Sequence, residues 1–101
     1  MKRNEQEALI WNKINSETAK IQWLHLQRFF AAGHLIVVDK QLDLVEIAFY
    51  CHQDEAKQID HYRQKGLFLP VSDEQAKIWH KNNSFLWTIV VKPLILVQPI
   101  E

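Results

Sequence analysis

The chain holds five histidines and a single cysteine among its 101 residues. The nearest grouping with metal-ligand character is Cys51, His52, Asp54 and His61. Zinc needs several ligands converging on a tetrahedron, usually from short pairs such as C-x2-C or H-x3-H. Cys51 and His52 are adjacent, so on a helix they point about 100° apart, and His61 lies beyond an expected helix break. No metal and no cofactor is expected: a buried thiol and surface histidines account for the set. Cys51 stands in the most apolar stretch of the chain, where burial raises a thiol's pKa and suppresses its reactivity. The hydroxyls Ser16, Thr18, Ser72, Ser84 and Thr88 fall at helix caps or in strands, without a glycine-flanked nucleophile elbow. With only Gly33 and Gly66 in the chain, a glycine-rich phosphate loop has no material.

Other side chains have two readings. Asp43 and Glu46 are three apart, so on a helix they share a face; this suits acid/base work, but also the single polar stripe of an otherwise apolar helix, the preferred reading. Arg28 presents a forked donor beside Phe29 and Phe30, fit to grip a carboxylate or to stack; the preferred reading is a solvated helix face. Of the four tryptophans, Trp23 has helical spacing with Leu26 and Phe30 and is read as core. Trp87 alternates with Phe85 and Ile89 along a strand, and its ring either packs inside or forms an interface.

The bulk numbers set the frame for these side chains. Forty-eight per cent hydrophobic and 24% charged residues describe one globular domain spanning 1–101, with 1–5 as a flexible tail. A core of this size folds without a staple. Twelve basic and twelve acidic residues cancel, and no basic cluster exists to neutralise phosphates, which disfavours nucleic acid as a partner. Lys92 and Pro93 break the longest apolar stretch, leaving it too short to span a bilayer. No signal core follows the N-terminus, and one cysteine excludes an internal disulfide framework. The cytoplasm is the expected compartment.

The fold class expected is α+β, four to five helices packed with a small sheet that includes a C-terminal strand pair. Glu5 to about Asn15 has helical spacing of apolar residues. A second helix, capped by Ser16 or Thr18, carries Trp23, Leu26, Phe29 and Phe30 and stops at Gly33. His34–Val38 reads as a strand. Asp39 is taken as the cap of Gln41–His52, a segment preferred as helix although its residues also alternate as in a strand. Asp54 is taken to cap Glu55–Lys65, which Gly66 ends. Leu67–Val71 reads as strand, and Ser72-Asp73-Glu74-Gln75 as a capping box opening a further helix. Phe85–Val91 and Leu94–Val97 close the chain as strands, with Pro93 marking a bend, a bulge or an edge.

Asn15–Ile21 followed by Trp23–Gly33 resembles the signature of a small bacterial family, domain of unknown function 2288. Leu42–Ala48, Ser72–Trp79 and Val90–Gln98 resemble its later blocks in the same order. The chain departs from that pattern at His25, where an acid is usual, and at Lys40, where proline is frequent. The resemblance implies a bacterial cytoplasmic protein and no particular activity. Glu17, Thr18, Gln27, Arg28 and Asp43 are polar and fall on its motif positions, so a shared site would draw on them first. Two functions are weighed. The favoured one is a non-enzymatic interaction module, joined to itself as a homo-oligomer or to another protein, with Trp87 as a candidate contact. The alternative is a small enzyme or ligand-binding protein, which requires Glu17, Gln27, Arg28 and Asp43 to converge on one pocket.

Overall fold

The computed structural model describes residues 4–100. Within them lie five α-helices and a five-stranded mixed sheet, in the order α1 (Glu5–Glu17), β1 (Ala19–Gln22), a 3-10 turn (Trp23–His25), α2 (Gln27–Ala31), β2 (Leu35–Val38), α3 (Leu44–His52), α4 (Ala56–Gln64), β3 (Phe68–Pro70), α5 (Asp73–Asn82), β4 (Phe85–Val91) and β5 (Leu94–Pro99). The α+β class with a C-terminal strand pair is therefore the fold. Part of the expected tail, residues 1–3, lies outside the described residues. Asn4 and Glu5 are structured: Asn4 caps α1 in a reciprocal box with Glu7, and Glu5 is the first helical residue.

The strands lie in the order β1-β4-β5-β2-β3. β4 and β5 form an antiparallel hairpin with Val91 opposite Leu94 and Trp87 opposite Gln98. Lys92 and Pro93 make its turn, so Pro93 costs the ladder no donor. β2 runs parallel to β5, while β1 and β3 pair antiparallel at the two edges. Helices cover both faces, which is why the inner strands are apolar on successive residues rather than alternate ones. On one face Val38, Ile89 and Leu96 pack with Ile14 of α1, Leu44, Ile47 and Phe49 of α3 and Ile59 of α4. On the other, Leu35, Leu86 and Val97 pack with Trp23, Leu26, Ala76 and Trp79. Among the described residues no helix is long and apolar enough to cross a membrane.

Three local expectations need correction. The helix expected through Trp23 and Phe30 is a strand, a 3-10 turn and the short α2. Thr18 does not open it; it ends α1, its Oγ1 donating back to the Ile14 carbonyl at 3.1 Å. Ala19–Gln22 is drawn into the sheet by β4, an instance of tertiary pairing overriding local pattern. The apolar stripe keeps its purpose, since Trp23 and Leu26 are each only 2% exposed, and Gly33 ends α2 at φ +80°. In the second case the cap of α3 is Asp43, whose Oδ1 accepts from the amides of Val45 at 3.0 Å and Glu46 at 3.4 Å. Asp39 accepts from the amide of Gln41 at 3.0 Å and shapes a turn; the helical reading of the segment holds. In the third, Asp54 caps nothing: it occupies the left-handed region at φ +56° and reverses the chain between α3 and α4.

Candidate functional site

Thr18, Asp43 and Trp87 come together. With Asn15, Leu44, Val45 and Gln98 they line a groove of about 350 Å³ where the end of α1, the start of α3 and the β4–β5 pair meet. Each is held by local chemistry. Asp43 is fixed by its two cap bonds, and Thr18 by its bond to Ile14. Gln98 stands across the ladder from Trp87, its Nε2 donating to the carbonyls of Asp39 at 3.0 Å and Leu42 at 2.8 Å. That amide fastens the loop carrying Asp43 to the sheet. Trp87 is half-buried, packed at the margin of the first core, and Lys20 of β1 holds its ammonium 5.1 Å from the ring centroid.

Beyond Trp87 this face of the sheet runs out of helical cover. Phe85, two residues earlier on β4 and so on the same face, is 53% exposed. Phe85 and Ile100 line a second groove of about 370 Å³ beside the C-terminal end of α5. Ile100 is itself exposed. Next to them β1 forms an edge of the sheet, with Ala19 and Lys20 exposed.

The remaining candidates lie elsewhere. Glu17 lines a separate groove with Lys13, His52, Asp54 and Lys92. Gln27 is across the sheet, where its Nε2 lies 2.7 Å from Nδ1 of His80 in a groove floored by Trp23 and Phe30. Arg28 is exposed, as a solvated helix face requires, with its guanidinium 4.8 Å from the ring centroid of the adjacent Phe29. Glu17, Gln27, Arg28 and Asp43 therefore do not share a pocket, as the alternative function required. The Asp43–Glu46 pair is also explained without catalysis: Asp43 is a cap, and Glu46 accepts from the Tyr50 hydroxyl at 2.7 Å. Burial pushes the Cys51 thiol up to about 11, with Arg63 pulling weakly the other way, so Cys51 stays a neutral thiol near pH 7. Among the described residues no group of three or more His, Cys, Asp or Glu is placed to hold a metal ion.

Sequence reasoning missed Gln98, Asn15 and the β1 edge. Gln98 was within reach: a two-residue turn at Lys92–Pro93 sets 91 against 94, hence 87 against 98. The β1 edge was not, because four residues of mixed polarity carry no strand signal until β4 lies beside them.

A family model described as "Protein of unknown function (DUF2288)" matches residues 10–99. The solution NMR structure of PA1075 from Pseudomonas aeruginosa is similar at 34% sequence identity and a TM-score of 0.81, covering 100% of this chain and 94% of that one. No curated protein matches the chain.

Proposed function

We infer that this chain, which belongs to the DUF2288 family of proteins of unknown function, is a non-enzymatic interaction module that pairs with a second copy of itself along β1. The observation that carries this reading is the open β1 edge lying beside exposed Phe85 and half-buried Trp87. An unpaired edge presents a row of free backbone donors and acceptors, which a second strand satisfies. The opposite edge is poorly suited: β3 has three residues and ends in Pro70, which cannot donate.

A second copy fits β1 for two further reasons. The formal net charge is zero, so identical copies do not repel as they approach. A twofold axis through the sheet and centred on Ile21 also makes a sensible ladder. It sets Ile21 against its counterpart and Lys20 against Gln22 of the second copy, so that no like charges face each other. The same axis sets the two Phe85–Trp87 shelves on one face of the joined sheet, with Lys20 and Gln22 of both copies between them. Nucleic acid is the poorer partner, since the charge balance offers no phosphate-neutralising excess. A bacterial cytoplasmic setting belongs to the same reading, supported by the lone cysteine and the bacterial relative.

Gln22 provides the test, because its partner across the axis is Lys20. Gln22→Lys places two like-charge pairs in each dimer, and Gln22→Glu places two opposite-charge pairs. Sedimentation equilibrium should show the first weakening and the second tightening association, each by about three- to tenfold at low salt. A wild-type chain that is monomeric at about 100 µM, or two variants that shift the same way, would remove the reading.

A further inference from the structure

The groove that Glu17 lines plays no part in the proposed self-association. It has a volume of about 780 Å³, inside the range of roughly 300–1,000 Å³ typical of small-molecule sites. Three elements build it: one face of α1, the C-terminal end of α3 with the turn after it, and the end of the β4–β5 hairpin. Ile10 and Ile14, one turn apart on α1, and Val91 of β4 give it an apolar floor. Lys13 and Glu17 stand on the same helical face, Asp54 in the turn after α3, and Lys92 at the hairpin turn.

The rim thus carries two cations and two carboxylates above an apolar floor. The one ion pair among the described residues joins Arg63 to Asp60 on α4, so the four rim charges are not neutralising one another at contact distance. We propose that this groove binds a small zwitterion with an apolar body, of the α-amino-acid class. A lysine takes the ligand carboxylate, a carboxylate takes its ammonium, and the side chain covers Ile10, Ile14 and Val91. The four rim side chains are exposed and hydrated, so a ligand gains most there by offering a charge of each sign, and charge balance, more than volume, selects the class.

Three probes of one shape separate these terms: L-leucine, 4-methylpentanoate (its body and carboxylate) and isopentylamine (its body and ammonium). Amide NMR titration of the full chain should show saturable shifts with L-leucine at Glu17, His52 and Val91. 4-Methylpentanoate and isopentylamine should each bind about tenfold more weakly, the loss expected for one charge-assisted contact. Lys92→Ala and Asp54→Gly should each weaken L-leucine by about the same factor, while Arg28→Ala, across the sheet, should leave it unchanged. The same spectra report whether each variant is folded. The proposal is overturned if L-leucine gives no saturable shifts up to about 50 mM, if a single-charge probe binds as well, or if both rim variants retain wild-type affinity. Because the β1 edge is not involved, the result is independent of whether the chain dimerises.

Discussion

Replacing Asp54 by glycine should make this protein more stable, against the usual direction of point substitutions. Asp54 holds φ +56°, a region costing an L-residue roughly 1–2 kcal/mol, with aspartate at the low end. Glycine occupies it freely but loses about 0.5–1 kcal/mol more backbone entropy on folding. Nothing else offsets the exchange. The side chain is exposed, and the turn is held by backbone bonds that glycine keeps, from the Asp54 amide to Cys51 at 3.2 Å and from the Ala56 amide to the Asp54 carbonyl at 2.8 Å. The carboxylate lies between the negative end of α3 and the positive end of α4, so its two helix-dipole interactions oppose each other. The net gain is at most about 0.5 kcal/mol, or up to about 2–4 °C in Tm for a chain of this size. Thermal unfolding followed by circular dichroism reads it directly. Gly33→Ala is the mirror control: at φ +80° an added Cβ meets nothing within 4 Å, so only the backbone term acts, and Tm should fall by a similar amount. An Asp54→Gly variant that melts below wild type would refute the reasoning, because the carboxylate would then be making a contact worth more than its backbone cost. The variant also matters for the zwitterion groove, since binding lost from a more stable protein cannot be put down to unfolding.

Two further outcomes follow from the site residues. Asp43→Ala strips the cap from α3 and should cost about 1 kcal/mol, lowering Tm by about 4–8 °C; a urea midpoint equal to wild type would show that Gln98 alone holds that loop. For Cys51 the folded thiol ionises near about 11, against an ordinary value of 9.0. Between these values the unfolded chain gives up its proton first, so the thiol's contribution is complete below pH 9 and is lost as pH rises toward 11. Cys51→Ala should therefore lose less stability than wild type between pH 8 and pH 10 in urea unfolding, and parallel losses would contradict the burial of the thiol.

What could be read in the sequence divides by the range of the interaction that decides it. The capping box at Ser72, the glycine stops at Gly33 and Gly66, and the C-terminal strands were legible because neighbours within four residues settle them. The choice between Asp39 and Asp43 turned on which carboxylate finds two free amides. That depends on where Gln98, more than fifty residues later, pins the loop through the carbonyls of Asp39 and Leu42. β1 depends likewise on β4, which pairs Ala19 with Thr88 and Gln22 with Phe85. The same rule governs the candidate sites. Glu17, Gln27, Arg28 and Asp43 looked like one set because all are polar and fall in motif blocks. The sheet, however, lies between Asp43 and the Gln27–Arg28 pair, and Glu17 turns to a groove of its own. Polarity at a motif position says that a side chain is placed with care, and in this fold several such placements are caps and staples. Surfaces for partners and ligands are instead proposed where long-range pairing leaves something unfinished: an edge strand without a neighbour, a stretch of sheet face at Phe85 beyond the helices, and exposed rim charges outside any ion pair.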